Sequence, residues 1–340
     1  MPVITNPFDA GGYSLAEMTQ AINLLPNVHT RLGEIGLFRF EGVTQRTVVI
    51  EQMDGVLNLL PTVPLGGPAT VADRDPRSMR SFVVPWIPHD DAITPQDLQG
   101  VRGFGVADAA DPLASLMERK LSRMRRKHAQ TREYMEINAL RGVVKDGSGN
   151  TLYDYFAEFG LARQEVDFAL GTAGTKTQAK CRETLRRIET ELRGESMTTV
   201  HALVSPGFFD KLIGHATVEE AYKHYASTGA RPLRDDVRSR FPYAGITFEE
   251  YNGTVTLADG TTEPLIPAGE GVAFPLGTQE TFETYGAPAN LIETANTVGL
   301  PIYARQLVRP DGSMIDVKTE ASILPVNRRP RLAIRLFSSN

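Results

Sequence analysis

The sequence predicts an α+β protein, with strands and helices segregated along the chain, and three observations carry this. Runs rich in β-branched and aromatic residues at Thr47–Ile50 and Phe82–Trp86 flank a stretch dense in proline and glycine. Met117, Leu121, Met124, His128, Thr131, Met135 and Asn138 recur at spacings of four and three, the period of one helix face. After residue 198, a short apolar strand leads into two helices, and hairpin signals follow.

Bulk properties exclude several classes. With 340 residues, 41% hydrophobic and 23% charged, the chain can bury a substantial core. Its net charge of -5 is mild, whereas a protein devoted to gripping nucleic acid is usually basic overall. A lone cysteine, Cys181, permits no internal disulfide, so nothing requires an oxidising compartment. It is expected on a helix, as a small core or surface residue. Met1 to Gly12 lacks the basic and apolar regions of a signal peptide. No window approaches the roughly 18 apolar residues of a membrane span, so a protein kept in the cytosol, or in something assembled there, is expected.

Ser14 and Glu17 make a capping-box pattern and predict a helix over about 14–24, ended by Pro26. Residues 1–38 cannot form a core alone and read as an arm that lies on something else. Residues 39–100 read as an extended hairpin, with strands in Arg39–Met53 and Ser81–Ile87 around Pro61, Pro64, Gly66, Gly67, Pro68 and Pro76. Two strands alone are marginal in water. This pair is expected to need support from another chain, the alternative being a pair folded back onto its own domain.

Asp111 as N-cap, Pro112 in the first turn and Gly142 as a stop delimit a helix over 111–141. At 1.5 Å per residue it spans roughly 45 Å. Its stripe is only partly apolar, so a buried rod is not expected. Val143–Val144 and Leu152–Tyr155 flank a loose turn, and Thr177–Arg193 reads as a helix with Leu185, Ile188 and Leu192 on one face.

Val200–Val204 is a strand, Ser205 caps a helix opened by Pro206, and another helix covers about 217–226. Asn252-Gly253 predicts a hairpin between Ile246–Tyr251 and Thr254–Leu257, and Asp259-Gly260 predicts a second turn. Gly271–Phe274 is a further strand. Ile302–Val308 and Met314–Leu324 pair around Asp311-Gly312, and a last strand covers Leu332–Leu336 after Pro330.

Catalytic chemistry is not legible. The Gly171–Thr177 loop fails as a phosphate loop because Thr175 stands where glycine must precede the lysine. Gly100, Gly103 and Gly105 are misordered for a dinucleotide fingerprint, and Ser205 sits in no nucleophile elbow. The six histidines lack zinc-ligand spacing. The densest polar cluster, His89-Asp90-Asp91, reads as exposed loop chemistry before Pro95. No residue is therefore assigned a catalytic, cofactor-binding or metal role, and no enzyme activity is expected.

Two basic patches stand out. Arg119 to Arg132 holds seven Lys or Arg residues and no acidic one. Arg119, Arg123, Arg126 and Lys127 lie on overlapping helix faces. They are either a solvated face paired with acids of neighbouring chains or a surface turned toward DNA or an acidic protein segment, contacts that salt would weaken. The second patch, Arg328, Arg329, Arg331 and Arg335, reads equally well as exposed strand ends.

In this order of elements the chain resembles the lambda-type (E-type) major capsid proteins of tailed bacteriophages, which share the Hong Kong 97-type capsid fold. The resemblance covers essentially the whole chain. It rests on Phe82-Val83-Val84-Pro85 after the proline-rich loop, Asp111-Pro112-Leu113 opening the long helix, and Leu203-Val204-Ser205-Pro206-Gly207-Phe208-Phe209. Glu320-Ala321-Ser322-Ile323-Leu324-Pro325 and Arg329-Pro330-Arg331-Leu332 near the end add to it.

The resemblance implies an N-terminal arm (1–38) and an extended loop (39–100) that reach over adjacent subunits. It further implies a peripheral domain (101–197 with 312–340) holding the spine helix 111–141, and an axial domain (198–311). Leu65, Gly66, Gly67, Pro68 and Trp86 become candidates for intersubunit or decoration contacts, and Arg119, Arg123, Arg126 and Lys127 for an inner surface meeting DNA or scaffold. The implied partners are copies of the chain in hexamers and pentamers, a scaffolding protein, a decoration protein, a portal and, non-specifically, packaged DNA, with no cofactor and no membrane. The implied place is the virion, assembled in the host cytoplasm.

Some relatives weld their shells through a loop lysine, but no lysine precedes Lys120 here, so a non-covalent shell is expected. An encapsulin-like compartment shell or another phage structural protein, such as a tail-tube subunit, stays an alternative. The long helix argues against a tube protein. A cytosolic enzyme is a third reading, opposed by the missing acid, base, nucleophile and metal clusters.

Overall fold

In the computed structural model, the described residues are 14–24, 30–53, 77–98, 110–193, 195–226 and 238–340. The chain divides into two compact units. One comprises residues through Val48, Phe82–Glu133 and Thr284–Pro325, and the other Val49–Ser81, Tyr134–Glu283 and Val326–Asn340.

The first unit is organised by the 13-residue strand Ile315–Asn327. Its first half is paired on both sides, antiparallel to Tyr303–Val308 and to Trp86–Ile93. Phe282–Gly286 and then Arg39–Gly42 extend the sheet beyond it. Alternate residues of the central strand face inward, so Ile315 and Val317 meet Met117, Leu121 and Met124 of the long helix in one apolar cluster.

The arm helix Leu15–Leu24 joins the same cluster through Met18 and Ile22. Its capping box forms as the sequence predicts: Ser14 N donates to Glu17 Oε2 at 3.1 Å and Glu17 N to Ser14 Oγ at 3.3 Å. Thr19 and Asn23 then bond to the backbone of Ala304 and Ile302. The expectation that the arm lies on something else is corrected for this helix. Met18, Thr19 and Ile22 share one face, and the chain's own sheet buries it.

The hairpin forms, but its strands are cut differently. The run 39–53 is two strands, Arg39–Gly42 and Thr47–Met53, and the second run divides into Arg77–Val83 and Trp86–Ile93. Pro85 has no N–H to give, which accounts for the break. Thr47–Met53 pairs with Arg77–Val83 as a two-stranded ribbon. Val48, Ile50 and Phe82 turn inward, while Val49, Met79 and Val83 face out. The tip, including Leu65, Gly66, Gly67 and Pro68, lies outside the described residues.

The long helix spans Ala110–Leu140. Every residue from Glu133 to Leu140 is buried, polar Glu136 and Asn138 included. The expectation that it is no buried rod is therefore corrected for its last two turns. Asn138 removes one difficulty by donating Nδ2 to the Tyr134 carbonyl at 2.8 Å.

The second unit holds a six-stranded sheet in the order Glu165–Asp167, Ile334–Phe337, Glu270–Leu276, Thr199–Val204, Ile246–Glu250, Phe241–Tyr243. Cys181, Ile188 and Leu192 of helix Thr177–Leu192, together with Phe208, Phe209 and Leu212 of helix Pro206–Ile213, pack in its core. Cys181 is a core residue, and burial pushes its thiol pKa up to about 12.

Two local expectations fail here. Ile246–Glu250 does not form a hairpin across Asn252-Gly253, because both of its edges are taken, parallel by Thr199–Val204 and antiparallel by Phe241–Tyr243. Thr254–Thr256 instead pairs with Thr262–Pro264 around Asp259-Gly260. Ser205 stands at the N-cap, yet its buried Oγ makes no capping bond, so Pro206 at the helix start carries that signal.

Candidate functional site

The first half of the long helix offers the richest chemistry. Met117, Leu121, Met124 and His128 point into the core. Of the seven basic residues, three serve the fold. Lys120 Nζ bonds to Asp91 Oδ1 at 3.0 Å and to the Ala92 carbonyl at 2.8 Å. Arg125 donates to the Ile22 carbonyl of the arm helix, and Arg132 lies over the Phe40 ring at 5.8 Å.

The other four are the predicted set. Arg119, Arg123, Arg126 and Lys127 are all exposed, and their i, i+4, i+7, i+8 spacing puts them on one face. None forms an ion pair with a carboxylate among the described residues, though Arg123 is near enough to Asp91 to act on its charge. The arrangement is a row of exposed cations along one helix face, with Arg119 Nε bonded to the Ser115 carbonyl at 3.3 Å and Lys127 Nζ 3.1 Å from His89 Nε2. It suits anionic polymers of any sequence, because charge neutralisation needs no base-specific geometry.

His89-Asp90-Asp91 is not loop chemistry, and that expectation is corrected. These residues lie in strand Trp86–Ile93, paired with Thr319, Lys318 and Val317. Period-2 alternation sends His89 and Asp91 toward the helix and Asp90 toward Lys318. Burial raises the Asp91 carboxyl, but bonds from Lys120 and the Ala92 N–H, with the Lys120 and Arg123 charges, outweigh it and hold the pKa below the usual range.

His128 sits below, its Nε2 3.0 Å from Thr319 Oγ1 and its ring edge-on to His89 at 6.2 Å. Burial, and secondarily the charge of His89, lower its pKa to about 4. Burial and the Lys127 charge lower that of His89 too. The layer beneath the basic face is thus neutral histidine at pH 7.

The tail patch is not free, which corrects its reading as exposed strand ends. Arg328 pairs with Glu283 at 2.7 Å, Arg331 with Glu191 at 2.8 Å and Arg335 with Glu165 at 2.9 Å, and Arg329 binds Glu195. Trp86, the other predicted contact residue, donates Nε1 to Glu320 Oε2 at 2.6 Å and leaves its ring partly exposed. Among the described residues no His, Cys, Asp and Glu cluster could hold a metal, and no helix is long and apolar enough to cross a membrane.

Comparison with known proteins decides the family. Residues 14–338 match the family described as phage major capsid protein E. The chain belongs to this family. It is 33% identical over 351 residues to the major capsid protein of Pseudomonas phage KPP10, covering 98% of each chain. The major capsid protein of Salmonella phage Felix O1 is 26% identical, with 95% of each chain covered. A chain of the mature capsid of bacteriophage PhiM1 superposes with a TM-score of 0.52 at 15% identity, over 93% of this chain and 89% of that one. A chain of the capsid of Ralstonia phage GP4 gives 0.51 at 10% identity, over 100% and 98%. These likenesses bear out the α+β, Hong Kong 97-type fold that the sequence resemblance implied.

Proposed function

We propose that the chain is the major head protein of a tailed phage, assembling as hexamers and pentamers into a non-covalent icosahedral shell around the genome. The observation that carries this is the end-to-end match to a major capsid protein, 33% identical with 98% of both chains covered. The exposed row Arg119, Arg123, Arg126 and Lys127 belongs on the inner surface in this reading, meeting packaged DNA or an acidic scaffold. The outward apolar face of the ribbon, Val49, Met79 and Val83, supports intersubunit burial of the extended loop, since a ribbon of two strands gains most from a second layer.

In the same reading, the arm is 1–38, the extended loop 39–100, the peripheral domain 101–197 with 312–340, and the axial domain 198–311. Residues Leu65 to Pro68 and Trp86 are offered to a neighbour or a decoration protein. Scaffolding protein and portal are further partners, and the shell is assembled in the host cytoplasm before it becomes the virion. Sedimentation of the purified chain tests the proposal. A fast-moving particle of many copies supports it, and a species that remains monomer or small oligomer at all concentrations contradicts it.

A further inference from the structure

Ile292 is 96% exposed, the most exposed of the large apolar residues described. It heads a short 3-10 turn, Ile292–Thr294, in the connection between strands Phe282–Gly286 and Tyr303–Val308. Such exposure is unremarkable on a slack loop, but this loop is built. Thr294 Oγ1 bonds to the carbonyls of Ala289 at 3.0 Å and Leu291 at 3.1 Å, and Thr297 Oγ1 to that of Thr294 at 2.8 Å. Asn290 N donates to Glu320 Oε2, and Leu300 N to Tyr303 Oη.

The base of the loop is tighter still. Val43 N bonds to the Gly286 carbonyl at 2.7 Å and Gly299 N to the Val43 carbonyl at 3.0 Å. A Cβ at Gly42 would collide with the Gly299 carbonyl, and one at Gly299 with that of Gly286. Only glycine admits this approach. The turn therefore holds Ile292 in water on a fixed frame, which costs apolar exposure without the entropy of a mobile loop.

Beside the turn opens a cleft of ≈380 Å³, lined by Thr44, Arg46, Pro288, Leu291, Asn296 and Ile292 itself, among others. Its wall is partly apolar, and Arg46 at its edge is exposed. Glu293, next to Ile292 on the knob, is exposed too, and neither charge has an ion-pair partner among the described residues. Knob and cleft thus carry an apolar surface and one charge each, of opposite sign.

We propose that this face is a contact between two copies of the chain, in which Ile292 of one copy enters the cleft of the next and Glu293 pairs with Arg46. The inference rests on the shell-forming reading above and names one of its contacts. A homo-oligomer can use such a surface because knob and cleft travel on the same chain. An apolar anchor ringed by a charge pair is the pattern by which small interfaces gain most of their affinity.

Charge exchange in the full-length protein tests this, read as the concentration at which shells appear in light scattering. Arg46→Glu and Glu293→Arg are each expected to raise that concentration about tenfold, as is Ile292→Asn. The double variant Arg46→Glu/Glu293→Arg is expected to return toward wild type. All three side chains are exposed, so circular dichroism and melting of the unassembled variants should match wild type. Single reversals that assemble like wild type, or a double variant no better than either single one, overturn the contact while leaving the shell reading intact. Wild-type protein that never assembles overturns both.

Discussion

Lys120 Nζ lies 3.0 Å from Asp91 Oδ1, and this partly buried pair ties the long helix to the strand Trp86–Ile93. The lysine also caps the Ala92 carbonyl and keeps that bond when only the carboxylate is neutralised. Asp91→Asn removes the charge from the pair and should destabilise the chain by about 1 kcal/mol at neutral pH. The folded carboxyl has a lowered pKa, so its contribution is full above the ordinary value near 4 and is lost as pH falls through the folded value. Thermal melts of wild type and variant should differ at pH 7 and converge as pH falls through the lowered folded value. A constant gap would show that the charge is not the cause.

His128 predicts a second pH effect, of separate origin. Its pKa is about 4 in the folded chain against 6.5 ordinarily. The unfolded chain binds the proton first, so stability falls as pH drops from 6.5 toward 4, by roughly 3 kcal/mol. His128→Asn should cost stability at pH 7 by loosening the contact with Thr319, yet flatten the profile between those limits. A variant whose melting temperature follows wild type down to pH 4 would remove this assignment.

Charge reversal at Arg123 and Arg126 separates folding from assembly. Both residues are exposed and unpaired with carboxylates among the described residues, so the double variant should melt within about 0.5 kcal/mol of wild type. Infection or packaging assays should nonetheless yield empty or no particles. Normal, filled particles would take the basic row out of the account.

Covalent welding is the next point. No lysine precedes Lys120, so the extended loop can supply none. Mature shells boiled in denaturant should run as single 37.3 kDa chains on a gel. A ladder of cross-linked oligomers is the contrary result.

What the sequence disclosed and what it hid follows from the range of each interaction. The long helix was legible because its signal is local: spacings of four and three from Met117 to Asn138 mark a face wherever it packs. The four exposed cations followed from the same periodicity. The ion pairs of the tail were invisible, since Arg329 meets Glu195 134 residues away and Arg335 meets Glu165 170 residues away. The buried strand Phe282–Gly286 has no apolar alternation to betray it, as all five residues are enclosed. Asn252-Gly253 misled because a turn signal says nothing about which edges are already taken. His89 and Asp91 looked like loop residues until pairing with Thr319 and Val317 set them on one side of a strand. The extent of the arm helix is legible in the sequence and its partner is not, because Met18 and Ile22 announce a face but not what covers it.

Electron microscopy of the purified chain bears most directly on the central claim. Closed, near-spherical shells with five- and sixfold clusters of a single polypeptide are the predicted images. Open tubes, or discrete small oligomers and nothing larger, would contradict it.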